Sequence, residues 1–226
     1  MNRRPVPHLH LIGPLVTDPA DYIRIAAAAV RGGCDAVHVR ILGGATEDVL
    51  ALTRSIRQAT GGATLIVNDR LDVALVAGAD GVQLGERGFA IEDARRVLPD
   101  EMLIGRSVHD IAGAQAAADA GADYLLAGHV FDTPSKQNTP GRGLDWLREL
   151  VESVSVSVIA LGGITTERIP DVMAVGAYGV ALGRELLFAD DPAVTAKRIA
   201  NQLARPTPPV VLSRSEGPLR CDTVSV

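Results

Sequence analysis

The sequence predicts a single (β/α)8 barrel, and three observations predict it. Eight short apolar runs alternate with eight helical segments, the order expected of a parallel sheet joined by crossover helices. A short pattern recurs at the helix-to-strand junctions: Gly33-Cys34-Asp35-Ala36-Val37, Gly78-Ala79-Asp80-Gly81-Val82, Gly121-Ala122-Asp123-Tyr124-Leu125 and Gly176-Ala177-Tyr178-Gly179-Val180. In each copy the glycine stops a helix and the next small residue lets helix and strand pack closely, so the chain reads as a repeated unit. The third observation is size and composition. A length of 226 residues suits one such barrel, and 47% hydrophobic but only 3% aromatic residues imply a core of Ala, Val, Leu and Ile. The rival is a doubly wound open sheet. It would place a Gly-rich nucleotide turn after the first strand, and Gly13-Pro14-Leu15 does not supply one.

The elements follow in order. The first strand is expected over residues 8–12. Thr17-Asp18-Pro19 opens a helix with proline in its first turn, and the Ala-rich stretch 22–31 continues it to Gly32-Gly33. Strand two covers 35–40, and a helix over 46–58 closes at Gly61-Gly62. Strand three covers 64–67 and ends at Asn68-Asp69, before a short helix over 71–76. Strand four covers 81–84 with a helix over 91–98, and strand five 103–107 with a helix over 111–120. Strand six covers 124–130 with a helix over 144–151, and strand seven 156–161 with a helix over 166–175. Strand eight covers 178–182, and the last helix runs over 185–203, with a break expected at Asp190-Asp191-Pro192. From Pro206 the periodicity ends. The domain reading is an N-terminal extension over 1–7, the barrel over 8–205 and a flexible tail over 206–226.

Composition narrows the function. Net charge is −5 with acids and bases interspersed, so there is no basic stripe for nucleic acid. No apolar run reaches membrane-spanning length, and the first residues lack the hydrophobic segment of a secretory signal. Cys34 and Cys221 support neither a disulfide framework nor a zinc site. A cytoplasmic homo-oligomer acting on a small molecule is expected, with no membrane or nucleic-acid partner.

In this fold chemistry sits at the C-terminal ends of the strands. The strand placement brings Arg40, Asn68, Asp69, Gln83, Ser107, His109, His129, Thr133, Lys136, Gly162, Gly163, Gly183 and Arg184 to that face. Ala160-Leu161-Gly162-Gly163-Ile164-Thr165 is the strongest local motif. Two glycines let backbone N–H groups and the following helix start approach a phosphate, and Gly183-Arg184 after strand eight adds an N–H and a guanidinium. The plainer readings are a tight turn and a solvated arginine.

His129 follows the apolar run of strand six, and Thr133, Ser135 and Lys136 come directly after. An imidazole at a strand mouth suits proton transfer; the competing reading is a histidine bonded to backbone. His38 reads as a core or inter-strand residue, His109 as a helix cap, and His8 and His10 receive no role. Asp69 can ligate a cation, cap a helix or pair with Arg70, and Ser107 can bind substrate or cap a helix. Arg40 points to a carboxylate or phosphate, or to an acidic neighbour such as Asp69.

Four stretches together resemble the thiamine-phosphate synthase superfamily: Val67-Asn68-Asp69-Arg70-Leu71-Asp72-Val73-Ala74, Gly78-Ala79-Asp80-Gly81-Val82-Gln83-Leu84, Thr133-Pro134-Ser135-Lys136 and Leu161-Gly162-Gly163-Ile164. The resemblance spans nearly the whole chain except the tail. The superfamily has a synthase arm, which joins a pyrimidine diphosphate to a thiazole phosphate with magnesium, and a thiazole tautomerase arm, which aromatises a thiazole phosphate carboxylate. Two positions depart from the synthase pattern. Leu42 stands where synthases carry a lysine after strand two, and Gly88 where they carry an acidic magnesium ligand after strand four. Ile104-Gly105-Arg106-Ser107-Val108-His109 and Gly128-His129-Val130-Phe131-Asp132-Thr133 are similar to the tautomerase arm, whose matching histidine is the proposed acid–base residue.

The resemblance therefore implies a thiazole tautomerase that uses His129 for proton transfer. Gly162, Gly163, Gly183 and Arg184 would hold the phosphate, and Arg40, Asn68, Gln83, Ser107, Thr133 and Lys136 the remainder, with Arg40 or Lys136 neutralising the carboxylate. No metal or cofactor is then needed. Two alternatives stay open. One is the synthase itself, in which Asp69 would serve magnesium. The other is a non-catalytic barrel that binds a thiazole or thiamine phosphate.

Overall fold

The structure is a computed structural model and describes residues 4–13, 18–41, 43–137 and 139–204. The expected tail over 206–226, and Leu42, lie outside the described residues. Eight parallel strands close on themselves in sequence order. They are β1 (Leu9–Gly13), β2 (Ala36–Val39), β3 (Thr64–Asn68), β4 (Gly81–Leu84), β5 (Leu103–Val108), β6 (Tyr124–Gly128), β7 (Ser157–Leu161) and β8 (Gly179–Leu182). The helices are α1 (Pro19–Arg31), α2 (Thr46–Thr60), α3 (Leu71–Ala77), α4 (Ile91–Val97), α5 (Ile111–Asp119), α6 (Gly143–Glu152), α7 (Ile169–Ala174), α8 (Arg184–Leu187) and α9 (Pro192–Leu203). The predicted barrel is thus the observed one, and the last helix is broken where the acidic pair and Pro192 stand. Asp191 caps α9 by accepting from Ala193 and Val194 N–H, with Pro192 at its first position.

Two elements differ locally from the sequence reading. The segment over 166–175 begins as a 3₁₀ turn, Thr166–Arg168, before becoming α7. Strand six ends at Gly128, yet its pairing with the next strand continues: Val130 N–H donates to Leu161 O at 2.9 Å and Phe131 N–H to Gly162 O at 3.0 Å. The chain after β6 therefore stays bound to the β7 exit, which holds His129 at the barrel mouth.

The recurring junction pattern has a second function, carried by its aspartates. Asp35, just before β2, accepts from Leu9 N–H at 2.6 Å, and Asp80, before β4, accepts from Leu65 N–H at 2.8 Å. Asp123, before β6, accepts from Ile104 N–H at 2.6 Å. Each aspartate pins the start of the preceding odd strand, satisfying buried N–H groups that the barrel closure would leave unpaired. Arg57 clamps Asp80 at 2.7 Å and Arg95 clamps Asp123, so each carboxylate has a guanidinium partner where it is buried. Tyr178 replaces the aspartate in the fourth copy. Its hydroxyl donates to Val6 O at 3.2 Å, and its ring packs edge-on to His8. The four pattern glycines, Gly33, Gly78, Gly121 and Gly176, all have positive φ, which accounts for their residue type.

The core has two layers. Between sheet and helices lies an aliphatic shell containing Leu11, Ile25, Ile56, Val67, Ile104, Leu147 and Ile199. Inside the barrel lies a smaller cluster of Ala36, Ile66, Leu103, Tyr124, Leu126, Ile159 and Ala181. Two histidines, His10 on β1 and His38 on β2, share that interior, both fully buried. Cys34 is buried as well, and burial pushes its thiol up to about 12, so it is an unreactive small hydrophobe. Among the described residues no helix is long and apolar enough to cross a membrane.

Candidate active site at the barrel mouth

A cavity of about 1640 Å³ opens at the C-terminal ends of the strands. Arg40, Asn68, Asp69, Ser107, His129, Thr133, Lys136, Gly162, Gly163, Gly183 and Arg184 all line it. Gln83 does not. It is fully buried on β4, where its Nε2 donates to Ser107 Oγ at 3.0 Å. Gln83 therefore orients Ser107 from below the mouth.

The β7–β8 side is built from backbone. Gly162 and Gly163 have φ of 99° and 63°, a path that side chains resist. A Cβ on Gly162 would lie 2.3 Å from the His129 Cβ, and one on Gly163 would lie 2.5 Å from Asp132 O. Both glycines are thus required by conformation and by contact. Their carbonyls are occupied on the outer side: Gly162 O by Phe131 N–H, and Gly163 O by the Arg168 guanidinium at 2.7 Å. Arg168 is itself stacked on Phe131 at 4.4 Å. An anion site must not expose carbonyl oxygen. Among the described residues no acceptor takes the N–H groups of Gly162, Gly163 or Gly183. The mouth therefore carries a cradle of unspent donors, as phosphate seats in this fold do.

The rest of the rim is built from charged and polar side chains. Arg40 leaves β2 half-buried, while Lys136 and Arg87 are exposed at the rim. Among the described residues no carboxylate forms an ion pair with any of the three. The three cations are therefore free to meet an anionic ligand at the mouth, which also carries carboxylates such as Asp69, Glu86 and Asp132. Asp69 is a non-glycine residue with positive φ, 59°, and its Oδ1 accepts from Gly85 N–H at 2.7 Å. That carboxylate fills the space over Gly88, where a Cβ would come within 2.7 Å of Oδ1. Arg106 holds the same loop by donating to Phe89 O and Glu86 O at 2.9 and 3.1 Å.

The histidines divide by what their rings touch. His129 Nε2 lies 3.0 Å from Thr139 O, an atom that only accepts, so Nε2 carries the proton and donates. His109 Nδ1 lies 2.6 Å from Gly128 O and must donate likewise, leaving Nε2 at the mouth 3.9 Å from Glu86 Oε2. The sequence reading treated His109 as a helix cap; Asp110 takes that place instead, accepting from Gly113 N–H at 2.7 Å. His10 and His38 form a pair below the mouth, Nδ1 to Nε2 at 2.9 Å, with His10 Nε2 on Pro7 O at 3.0 Å. Burial pushes both well below the ordinary histidine range. Arg168 and Glu185, which shape the loops, carry no sequence signal, because an isolated charged residue after a strand makes no motif, and Arg106, inside β5, is legible only as part of a family-like stretch.

Residues 11–186 match the family model described as thiamine monophosphate synthase. The thiamine-phosphate synthase of Methanoculleus marisnigri is 42% identical over 187 residues, covering 81% of this chain and 87% of its own. That of Methanoregula boonei is 38% identical over 197 residues, covering 84% and 91%. A solved thiamine phosphate pyrophosphorylase from Pyrococcus furiosus superposes with a TM-score of 0.78 at 34% identity, covering 87% of this chain and 95% of that one.

These relatives correct the tautomerase expectation, and with it the isomerase assignment. Relatives at 38–42% identity over most of the chain are synthases. The expectation gave decisive weight to Leu42 and Gly88. At Gly88 the Asp69 carboxylate lies beside the position, its Oδ1 2.7 Å from where a Cβ would stand, so a carboxylate remains at this loop. His129 matches the competing reading of a histidine bonded to backbone.

Proposed function

The chain belongs to the thiamine monophosphate synthase family, and from that premise we propose that it is a thiamine-phosphate synthase, joining a pyrimidine diphosphate to a thiazole phosphate. The observation that carries the reading is the identity of 42% with a synthase over four fifths of the chain. The lining of the mouth agrees with it. The donor cradle of Gly162, Gly163 and Gly183 suits the phosphate of the thiazole partner. Arg40, Lys136 and the rim Arg87, with Asn68, Thr133 and Ser135 between them, suit the diphosphate of the other. Joining the two breaks the bond to diphosphate, so negative charge grows on the departing group. Fixed cations beside it stabilise that charge more in the transition state than in the bound substrate, which is the requirement for catalysis.

Magnesium, which the family resemblance implies, fits this donor set. The ion is commonly held by one or two carboxylates plus substrate phosphate oxygens rather than by an all-protein cage. Asp69 offers one hard carboxylate at the mouth, and the described residues hold no group of three or more His, Cys, Asp or Glu that would make a closed cage. Asp69 would hold the ion, which supplies charge neutralisation on the diphosphate. Gly85 N–H fixes the Asp69 carboxylate for that task. Gln83 and Ser107 form the polar floor under the pyrimidine side.

The test is direct. The purified protein with both substrates and magnesium is expected to release thiamine phosphate and free diphosphate in equal amounts. Product no greater than in a protein-free control would overturn the reading.

A further inference from the structure

The loop after β7 and the loop after β8 are separate segments, yet the phosphate cradle needs N–H groups from both. One side chain joins them. Glu185, in the second residue of α8, places a single oxygen, Oε1, against two donors of Thr166. Thr166 N–H donates at 2.9 Å and Thr166 Oγ1 at 2.6 Å. Thr166 is only 2% exposed, while Glu185 lines the mouth cavity. Thr166 is three residues past Gly163, as Glu185 is two past Gly183.

We propose that Glu185 is a positioning residue for the thiazole phosphate: by taking both Thr166 donors it ties the two loops together and fixes the separation of the Gly162–Gly163 and Gly183 N–H groups. Arg168 performs the complementary task on Gly163 O, holding the carbonyl outward. Between them the loop is fastened at both ends before any anion arrives. Preorganised donors bind a phosphate without a reorganisation cost at the moment of binding. The anionic Glu185 costs some repulsion toward a bound phosphate, and its two charge-assisted hydrogen bonds, both on Oε1, offset part of this.

The proposal rests on the synthase reading for its substrates, so the test separates the two. KM for the thiazole phosphate, KM for the pyrimidine diphosphate and kcat are measured for wild type, Glu185→Ala and Glu185→Gln. Binding of the thiazole phosphate alone is measured in parallel by calorimetry. Glu185→Ala is expected to raise KM and Kd for the thiazole phosphate about tenfold, the effect of losing hydrogen bonds to a charged group, and to change KM for the diphosphate less than about twofold. Glu185→Gln keeps an acceptor oxygen and is expected to restore most of the affinity. If Glu185→Ala does not fold, Thr166→Val removes the hydroxyl bond alone and is read against Thr166→Ser. Unchanged or tighter thiazole phosphate binding in Glu185→Ala overturns the proposal, and so does an equal rise in both KM values, which would mark a merely structural residue. Absence of product with wild type refutes the synthase reading; the calorimetric comparison then still decides the clamp.

Discussion

Acidification should destabilise this barrel through the His10–His38 pair, beginning at a pH where carboxylates are still ionised. Pro7 O can only accept, so His10 Nε2 carries its proton, His10 Nδ1 accepts, and His38 Nε2 donates to it. Both rings are neutral in this arrangement. Protonating either one places two N–H groups against each other or a charge in an apolar barrel centre. Desolvation by burial accordingly lowers His10 from 6.5 to about 4, and lowers His38 well below 6.5, with the neighbouring His10 as the second cause. The sign follows. Below 6.5 the unfolded chain takes up protons that the native chain refuses, so stability is present above that pH and lost as pH falls toward 4. Each refused proton costs about 1.4 kcal/mol per pH unit. Going from pH 6.5 to 5 should therefore remove about 2 kcal/mol through His10 alone, with His38 adding in the same direction. That is a large share of the ~5–15 kcal/mol typical of a domain. Urea denaturation at closely spaced pH values between 7.5 and 4.5 measures the slope. The double variant His10→Gln/His38→Gln should flatten it whatever its absolute stability. A wild-type curve flat between pH 6.5 and 5 would refute the reasoning.

Two further outcomes concern the mouth. Asp69→Asn keeps the acceptor for Gly85 N–H and tolerates the positive φ, so it removes charge alone. It should lower kcat/KM about tenfold or more at limiting magnesium, after discounting the Coulomb energy for solvent exposure, with partial recovery as magnesium is raised. Gly162→Ala adds a methyl 2.3 Å from the His129 Cβ at a φ of 99°. Strain and overpacking together should cost about 3–5 kcal/mol, read as a lowered Tm, and abolish thiazole phosphate binding.

How legible the fold was depends on the kind of signal each part carries. Alternating apolar runs and the junction glycines reveal eight strands and their order, because closure of a parallel sheet follows from right-handed crossovers. The broken last helix was legible from Pro192 and its acidic neighbours. The aspartates of the junction pattern were visible but not interpretable, since their partners Leu9, Leu65 and Ile104 lie 26, 15 and 19 residues away. Strand placement brought eleven of the thirteen residues expected at the face, among them Arg40 and Gly183, to the cavity by position; His109 makes a twelfth, and Gln83 alone stays buried below. What the sequence could not weigh was the activity. Two residue differences were read as the loss of a diphosphate grip, whereas only the three-dimensional neighbours of those positions say what a difference costs.

Gly88 makes that point in physical terms. Considered alone, a glycine in place of a carboxylate removes a metal ligand and a unit of charge. In the folded loop it is the position on which the Asp69 carboxylate rests: Asp69 bends through a left-handed φ, accepts from Gly85 N–H, and comes so near Gly88 that any side chain there would collide with it. Gly85 and Gly88 are tied to each other as well, Gly88 N–H donating to Gly85 O at 3.0 Å, so the loop is a closed turn around one carboxylate. A side chain grafted at 88 would have to shift that carboxylate. On the synthase reading, Arg87, which lines the same mouth as Arg40 and Lys136, would bring positive charge to the diphosphate directly. A diphosphate is stabilised by positive charge whether it arrives as an ion or as a guanidinium.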